Sequence, residues 1–249
     1  MIDSFKTQVK YESRELMIKR VNVNGFKIFP FKNKREFLDY IKSGHLDNIL
    51  VALNAEKIIR PHQSLRKLVN CNIGYPDGVG AVYALRRKGI KADKIAGSEF
   101  WLDIIQEFNS DKTFYFVGSR KEVIEQTVDK LKEEFRGIKI AGFRDGYYEE
   151  SEYPALLNDI QQKRPDIVFV ALGSPKQEYV MKEMQERHKA LYMGLGGSFD
   201  VYTRHVQRAP KFWIDNHLEW AYRLFKQPKR IFRQAHLLKF VYLLLMKRL

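Results

Sequence analysis

Polar and glycine residues follow two short apolar runs in the C-terminal half of the chain, IVFVALGSPKQE and ALYMGLGGSFD. Both runs are typical of buried parallel strands, and VMKEMQERHK between them is typical of a crossover helix. Ligands of open α/β sheets bind just past the carboxyl ends of such strands, so we expect both turns to face one crevice. Backbone amides beside polar side chains suit an anionic, hydroxyl-rich ligand such as a nucleotide sugar. The residues of these turns are Gly173, Ser174, Lys176, Gln177, Glu178, Gly196, Gly197, Ser198 and Asp200.

Asp77 is the candidate for acid–base chemistry. It stands in YPDGVG, Tyr75 to Gly80, which follows an apolar segment and opens a helix-like one. The two glycines, Gly78 and Gly80, resemble a dinucleotide fingerprint that lacks its third glycine, which is a weak signal. A carboxylate at a strand end in the ligand crevice can act as a general base. Position alone favours a simpler role, the cap of the following helix.

Three more strand ends carry side chains with two interpretations each. In VALNAEK, Asn54 and Glu56 follow a strand, and Asn54 can bind a sugar hydroxyl or the backbone of a neighbouring turn. In VGSR, the amides after Gly118 and the side chain of Arg120 can meet a phosphate, or form an ordinary turn with a solvated arginine. In FRDGYY, Asp145 is either a ligand contact or a turn former.

Motifs that the sequence lacks narrow the chemistry. It has no GxxxxGK[ST], no DxD pair, no GxSxG and no His, Cys and carboxylate cluster with metal-ligand spacing. A P-loop nucleotidase and a serine hydrolase are therefore disfavoured, and neither a metal site nor a cofactor is expected. A bound diphosphate must then be neutralised by cations and backbone amides. The single cysteine, Cys71, permits no disulfide framework and is expected to be a buried, inert thiol in a reducing compartment.

The apolar periodicity predicts an α/β fold, a Rossmann-like and mainly parallel sheet with helices on both faces. A chain of 249 residues suffices for one such domain with a small appendage. The predicted strands are Val21 to Phe29, Ile49 to Leu53, Cys71 to Tyr75, Thr113 to Val117, Ile138 to Phe143, Ile167 to Leu172 and Leu191 to Leu195. The predicted helices are Lys34 to Ser43, His62 to Val69, Gly80 to Lys88, Glu99 to Phe108, Lys121 to Phe135, Pro154 to Gln162 and Pro175 to Lys189.

The pattern changes after Asp200, where a basic amphipathic appendage, residues 201–249, is expected to follow the domain of residues 1–200. The net charge is +14, and residues 204–249 hold eleven Lys or Arg against two acidic residues. Pro228 is expected to separate two helices, and the longest apolar run, FVYLLLM, is far shorter than the roughly 18 residues of a membrane span. Such helices can lie on an anionic membrane surface, pack on the domain or cover a subunit interface, so an oligomer is possible. The N-terminus has no signal-peptide pattern, which indicates a cytoplasmic protein.

Nine segments, in order, resemble the WecG/TagA/CpsF family of bacterial glycosyltransferases. They are VALNAEK, YPDGVG, KIAGSEFW, FVGSR, FRDGYY, LGSPKQE, GLGGSFDV, RAPKFW and LEWAYRLFKQPKR, and they cover about Ile49 to Arg233. VALNAEK, LGSPKQE and LYMGLGGSFDV look most similar to the branch that transfers N-acetyl-D-mannosaminuronate in enterobacterial common antigen synthesis. The resemblance implies an inverting transfer from a UDP-sugar to undecaprenyl-diphospho-N-acetylglucosamine at the cytoplasmic face of the inner membrane.

The resemblance also implies roles for individual residues. Asp77 would be the general base for the acceptor 4-hydroxyl. Gln177, Glu178 and Lys94 would contact the sugar nucleotide. Basic residues of the appendage would meet the lipid diphosphate or the membrane; these are Arg208, Arg223, Lys229, Arg230 and Arg233.

Two positions depart from the family pattern. Ala52 stands where the teichoic-acid branch has a threonine, so no role of that hydroxyl carries over. Lys94 stands where an arginine is common, which removes bidentate phosphate contact. The same fold with UDP-N-acetylmannosamine or another UDP-sugar is the alternative within enzymes. A nucleic-acid-binding protein and a nicotinamide-dependent oxidoreductase are the other classes considered, and no nucleic-acid partner is expected because the basic segment lies beside apolar helices.

Overall fold

Strands and helices alternate along most of the chain. The structure is a computed structural model that describes residues 18–60, 63–207, 209–215, 221–222 and 239–246. Its strands are β1 Val21–Val23, β2 Phe26–Ile28, β3 Ile49–Leu53, β4 Ile73–Pro76, β5 Thr113–Gly118, β6 Lys139–Arg144, β7 Ile167–Ala171 and β8 Leu191–Gly194. Its helices are α1 Lys34–Lys42, α2 Ala55–Ile59, α3 Gln63–Cys71, α4 Val79–Arg87, α5 Gly97–Phe108, α6 Lys121–Glu134, α7 Tyr153–Lys163, α8 Lys176–Arg187, α9 Ser198–Tyr202 and α10 Lys211–Asp215, with a 3-10 turn at Glu150–Glu152.

The strands form one eight-stranded sheet in the order β1-β2-β4-β3-β8-β7-β5-β6. The β1–β2 pair is antiparallel, and the other described pairs are parallel. The central strands β7 and β8 are buried along their whole length, as their uninterrupted apolar sequences predict. The predicted mainly parallel α/β fold is confirmed.

Helices cover both faces of the sheet and create two apolar cores. Side chains of α2, α3, α4, α7 and α8 pack on one face. Side chains of α1, α5, α6 and α9 pack on the other, where Trp101 and Phe199 lie edge to face with ring centroids 5.6 Å apart. Because helices cover both faces of the sheet, a ligand can reach it at the ends of its strands. In such folds the ligand crevice forms at the carboxyl ends.

The prediction of one continuous strand from Val21 to Phe29 is wrong, because this segment forms a hairpin of two strands, β1 and β2. Asn24 and Gly25 both have positive φ, 48° and 82°, and connect β1 to β2. An Asn-Gly pair favours such a two-residue turn. The N–H of Gly25 donates to the Asn22 side chain at 2.8 Å, which closes the turn.

The interpretation of Cys71 is also wrong in two respects. Cys71 ends helix α3 instead of starting a strand, and it is exposed. Asn72 makes the transition, because its side chain accepts from Ile49 N at 2.9 Å and donates to Leu68 O at 3.0 Å. These two bonds end α3 and fix the start of β4 against β3, so the thiol faces outward at the last turn.

Beyond residue 200, part of the expected appendage is helical. Helix α10 and residues 239–245 are helical, whereas Pro228 lies outside the described residues. Within the described residues, no helix combines the length and apolarity of a membrane span. Phe240 is buried against the first core, since its ring lies 3.3 Å from the place a Cβ on Gly80 would occupy. The division of the chain at residue 200 stays a prediction.

Candidate functional site

The candidate site lies at the carboxyl edge of the sheet, where the neighbouring parallel strands β4, β3, β8, β7 and β5 end. Strand β3 pairs with β4 as far as Leu53 and Pro76, but with β8 only at Ile49 and Leu50. Strand β8 pairs with β7 as far as Gly194. The ends of β3 and β8 therefore separate, and the opening between them is bordered by side chains from the turns predicted to bind a ligand.

Helices α4, α6 and α8 begin at this edge without a side-chain cap. The N-cap residues are Gly78 for α4, Arg120 for α6 and Pro175 for α8, and none makes a side-chain cap hydrogen bond. Uncapped amides at a helix N-terminus, together with the helix dipole, attract anions. The edge can therefore attract phosphate charge. In the described part of the chain, no His, Cys, Asp and Glu group of metal-binding size occurs.

Asp77 projects from the end of β4 and is held by helix α5. Its Oδ1 accepts a hydrogen bond from the N–H of Gly97, the first residue of α5, at 2.7 Å. Its own N–H donates to Leu53 O at 3.0 Å, which ties it to β3. Asp77 is not the cap of α4, since Gly78 occupies that position. The simpler role considered from the sequence is therefore wrong, and a partly exposed, oriented carboxylate stands at the crevice.

Tyr75 lies beneath Asp77 and was not identified from the sequence. Its side chain is fully buried between Phe37 and Phe100, and its hydroxyl has no hydrogen-bond partner in the part of the chain that the structure describes. Burial raises the pKa of this hydroxyl well above its ordinary value, and the charges of Asp77 and Glu178 raise the pKa further. Tyr75 is therefore a neutral hydroxyl close to two carboxylates.

Glu178 and Lys57 form a buried ion pair at the β3–β8 opening. Lys57 Nζ lies 2.6 Å from Glu178 Oε1 and donates to Ala52 O at 2.9 Å. The side chains of Lys57 and Glu178 are only 12% and 1% exposed. Glu178 Oε2 is buried, and no described residue forms a hydrogen bond with it. Lys57 belongs to VALNAEK, but no sequence spacing links it to a carboxylate on α8.

Gln177 joins α8 to the turn after β8. Its Oε1 accepts from Gly196 N at 2.9 Å, and its own backbone N–H donates to Gly173 O at 2.9 Å. Two of the predicted turns are thus brought together, as expected. The Gly196 amide is engaged in this bond, so the expectation that it stabilises phosphate charge is wrong for this arrangement. Gly173 and Gly197 border open space and keep their backbone accessible.

Ser119 links the end of β5 to α9. Its Oγ donates to Asp200 Oδ2 at 2.9 Å, across 81 positions of sequence. Gly118, with φ of 122°, is buried against the Ala171 carbonyl, which leaves no room for a Cβ. Asp200 binds within the protein, and its partner Ser119 lies within VGSR but was not identified from the sequence.

Three predicted ligand contacts have local partners. Asn54 Oδ1 caps α2 by accepting from Lys57 N at 3.0 Å. Glu56 pairs with Arg60 at 2.9 Å. Asp145 Oδ1 accepts from Tyr147 N at 2.9 Å, so Asp145 forms the turn. Asn54 and Asp145 thus bind neighbouring backbone, which was the structural alternative for each. Glu56 forms a local ion pair.

The cations expected to meet phosphate differ in position. Lys94 is partly buried. It lies beside the end of β4, since the N–H of the next residue, Ile95, donates to Pro76 O at 2.8 Å. Arg120 is exposed at the start of α6. Lys176 and Ser174 are exposed before α8, and Lys176 Nζ lies 5.2 Å from the centroid of the Tyr148 ring. Arg208, Arg223, Lys229, Arg230 and Arg233 lie outside the described residues, so their roles stay predictions.

Comparison with protein-family models gives one match over nearly the whole chain. Residues 21–249 match the model described as the Glycosyl transferase WecG/TagA/CpsF family. This range includes all eight strands and the site at their carboxyl edge. The chain therefore belongs to the WecG/TagA/CpsF family of glycosyl transferases and is a glycosyltransferase.

Proposed function

We propose that the protein transfers N-acetyl-D-mannosaminuronate, with inversion, from its UDP donor to undecaprenyl-diphospho-N-acetylglucosamine. Family membership supports the coarser statement, a glycosyltransferase of cell-surface polysaccharide synthesis that uses a sugar-nucleotide donor and a lipid-linked acceptor. The choice of donor and acceptor rests on the resemblance of VALNAEK, LGSPKQE and LYMGLGGSFDV to one branch of that family.

The position of Asp77 carries the proposal. Asp77 lies at the end of β4, while the helix N-termini of α6 and α8 follow β5 and β7 on the other side of the β3–β8 opening. A donor lying across this edge can place its diphosphate at those N-termini and the anomeric carbon toward Asp77. Inversion requires one base on the face of the anomeric carbon opposite the leaving group, and we propose Asp77 for that role.

The proposed step is a single displacement. The acceptor 4-hydroxyl oxygen forms a bond to the anomeric carbon while the bond from that carbon to the UDP oxygen breaks. The hydroxyl proton passes to the Asp77 carboxylate, and the electron pair leaves with UDP. Backbone amides at α6 and α8 stabilise the charge that develops on the diphosphate, because they are fixed before the reaction begins.

A uronate donor brings a further carboxylate that needs a cation. Lys94, Arg120 and Lys176 lie at the strand edge, and within the described residues none of them forms an ion pair. The Lys57–Glu178 pair is unsuited to this task, because Lys57 is already neutralised. We therefore propose that Lys94, Arg120 or Lys176 binds the donor carboxylate.

The acceptor places the reaction at a membrane surface. We propose that the protein is peripheral on the inner face of the bacterial cell membrane and that its basic C-terminal residues meet anionic lipid. Exposed apolar side chains at Tyr83 of α4 and at Val241, Tyr242, Leu245 and Met246 support this proposal.

The decisive experiment compares two donors with one acceptor. The purified full chain is given UDP-N-acetylmannosaminuronate or UDP-N-acetylmannosamine, with a short-chain lipid-diphospho-N-acetylglucosamine, and disaccharide and UDP are measured. We expect kcat/KM for the uronate donor to be at least roughly tenfold higher. Preference for the other donor would establish the alternative substrate, and no product with either would refute the donor assignment.

Asp77→Asn is the matched variant for this assay. Removal of a general base typically lowers the rate by about 10²–10⁴-fold, whereas UDP affinity, measured by calorimetry, should change little. The introduced asparagine can still accept the Gly97 hydrogen bond through its amide oxygen, so the fold should persist. Full activity in Asp77→Asn would exclude Asp77 as the base.

A further inference from the structure

Tyr75 holds a polar group whose presence the fold alone does not explain. Its ring packs between Phe37 and Phe100, and its hydroxyl is buried and has no hydrogen-bond partner among the described residues. A phenylalanine would fill the same space without that cost, because an unsatisfied buried hydroxyl loses its hydration. The hydroxyl therefore requires an explanation beyond packing.

The hydroxyl lies against the residue that holds Asp77. A Cβ built on Gly97 would stand 2.7 Å from the Tyr75 hydroxyl oxygen and 3.6 Å from Asp77 Oδ1. The Gly97 N–H already donates to Asp77 Oδ1 at 2.7 Å. The Tyr75 hydroxyl and the Gly97 amide thus both lie near the Asp77 carboxylate, and residue 97 has room only for glycine.

The Tyr75 hydroxyl stays protonated, so near Asp77 it can act only as a neutral hydrogen-bond donor. Burial raises the pKa of Tyr75 well above its ordinary value, and the charges of Asp77 and Glu178 add to this effect. The O–H thus persists across the working pH range and cannot compete with Asp77 as a base. A neutral O–H beside a carboxylate can donate a hydrogen bond to it.

We propose that Tyr75 is a positioning residue for Asp77 and that Gly97 is its necessary partner. The Gly97 amide holds the carboxylate before the ligand binds, and the Tyr75 hydroxyl donates a second hydrogen bond to it once the acceptor hydroxyl is bound. This inference rests on the proposed role of Asp77 as the general base.

Tyr75→Phe tests the inference because packing and positioning predict different results. The ring contacts remain, so the variant should be as stable as the parent or more stable in urea unfolding. We expect kcat to fall roughly tenfold, while KM for the donor and UDP affinity stay unchanged, as for loss of an interaction made only during the reaction. An unchanged kcat overturns the inference, and so does a fall in kcat accompanied by lost stability or lost UDP affinity.

Tyr192→Phe is the matched control. Tyr192 lies on β8, is fully buried and donates from its hydroxyl to His188 O at 2.8 Å. Its phenylalanine variant should show the opposite pattern, with reduced stability and normal kcat.

Gly97→Ala supplies a second test through its combination with Tyr75→Phe. The added Cβ meets the Tyr75 hydroxyl, so Gly97→Ala alone should lose stability and activity. Deleting the hydroxyl in the double variant makes room and should restore stability. If the hydroxyl serves Asp77, kcat of the double variant remains no higher than that of Tyr75→Phe; a return to the parental kcat overturns the inference.

The parent enzyme separates the two levels of proposal. Absence of sugar transfer by the parent, or full activity of Asp77→Asn, refutes the proposed function itself. Normal activity of Tyr75→Phe in an otherwise active, Asp77-dependent enzyme refutes only the positioning role.

Discussion

At the scale of single residues, the site depends on pairs that are distant in sequence. Lys57 and Glu178 are 121 positions apart, and Ser119 and Asp200 are 81 apart. The motifs containing these residues were visible in the sequence, and so was the candidate base Asp77. Their partners were not, because side-chain contacts between strand ends depend on strand order, which a single sequence does not specify.

Lys57→Met is predicted to destabilise the fold. Removing the lysine leaves the 1%-exposed Glu178 carboxylate buried without its counter-charge. Breaking one side of such a pair typically costs about 3–5 kcal/mol, whereas replacing both partners with apolar residues is often tolerated. Urea unfolding at neutral pH should therefore show a large loss for Lys57→Met and a smaller one for Lys57→Met combined with Glu178→Leu.

Arg60→Met is the control for that prediction. Arg60 pairs with Glu56 on α2, but both side chains are about a third exposed, 30% and 38%. Loss of such a pair should cost under about 1 kcal/mol. Equal losses for Lys57→Met and Arg60→Met would contradict the assignment of Lys57–Glu178 as a buried pair.

At the scale of elements, long apolar patterns predicted the structure well and short elements escaped. Strands β3, β5, β7 and β8 and helices α1, α5, α6 and α8 lie where the apolar runs placed them, within a few residues. Helices α2 and α9 have five residues each and no periodicity of their own. Asn54 caps α2, and apolar side chains of both helices, such as Ile58 and Phe199, reach the core. Such short helices depend on these tertiary contacts, which local sequence does not show.

Asp166 shows how one side chain joins two elements. It precedes β7 and accepts from both the N–H and the hydroxyl of Thr113, at 2.9 and 2.8 Å, at the start of β5. Lys112 Nζ lies 3.3 Å away. Partial burial raises the pKa of Asp166, but these hydrogen bonds and the Lys112 charge outweigh it, so the pKa lies below its ordinary value.

Asp166→Asn is predicted to reduce stability in a pH-dependent manner. Because the folded-state pKa is lowered, the carboxylate contributes its full stabilisation above the unfolded value of about 3.9, and this contribution disappears as the pH falls through the folded value. We expect a loss of about 1 kcal/mol at pH 7, modest because the side chain is partly exposed, and a smaller difference between variant and parent under strong acid. Urea unfolding across this range provides the measurement.

Asp111→Asn is the control for the Asp166 prediction. Asp111 is exposed, close to the same strand start, and within the described residues its carboxylate forms no hydrogen bond. It should leave stability nearly unchanged at both pH values. A loss at Asp166 that is independent of pH would show that charge is not the source of its contribution.

At the scale of the whole molecule, charge and apolar exposure coincide. The net charge of +14 is concentrated after residue 204. The exposed apolar patch consists of Tyr83 on α4 and of Val241, Tyr242, Leu245 and Met246 near the C-terminus. Within it, Tyr83 and Leu245 line one groove together with Arg86 and Arg87. Arg87 Nη2 donates to Leu245 O at 3.2 Å, and a groove of about 310 Å³ runs between α4 and residues 244–245. Exposed apolar side chains next to cations are typical of a surface that binds anionic lipid.

Replacement of Leu245 and Met246 by glutamate is predicted to weaken membrane binding. The change removes apolar area that would insert between lipids and adds two negative charges beside Arg87. The parent should cosediment with vesicles containing phosphatidylglycerol, less so as salt screens the charges, and the variant should bind at least roughly tenfold more weakly at low salt. Phe143→Glu is the control, since Phe143 is also exposed but lies on β6 at the far edge of the sheet. Equal weakening by both changes would mean that net charge alone drives binding. Unchanged binding of the Leu245 and Met246 variant would show that the patch does not contact the membrane.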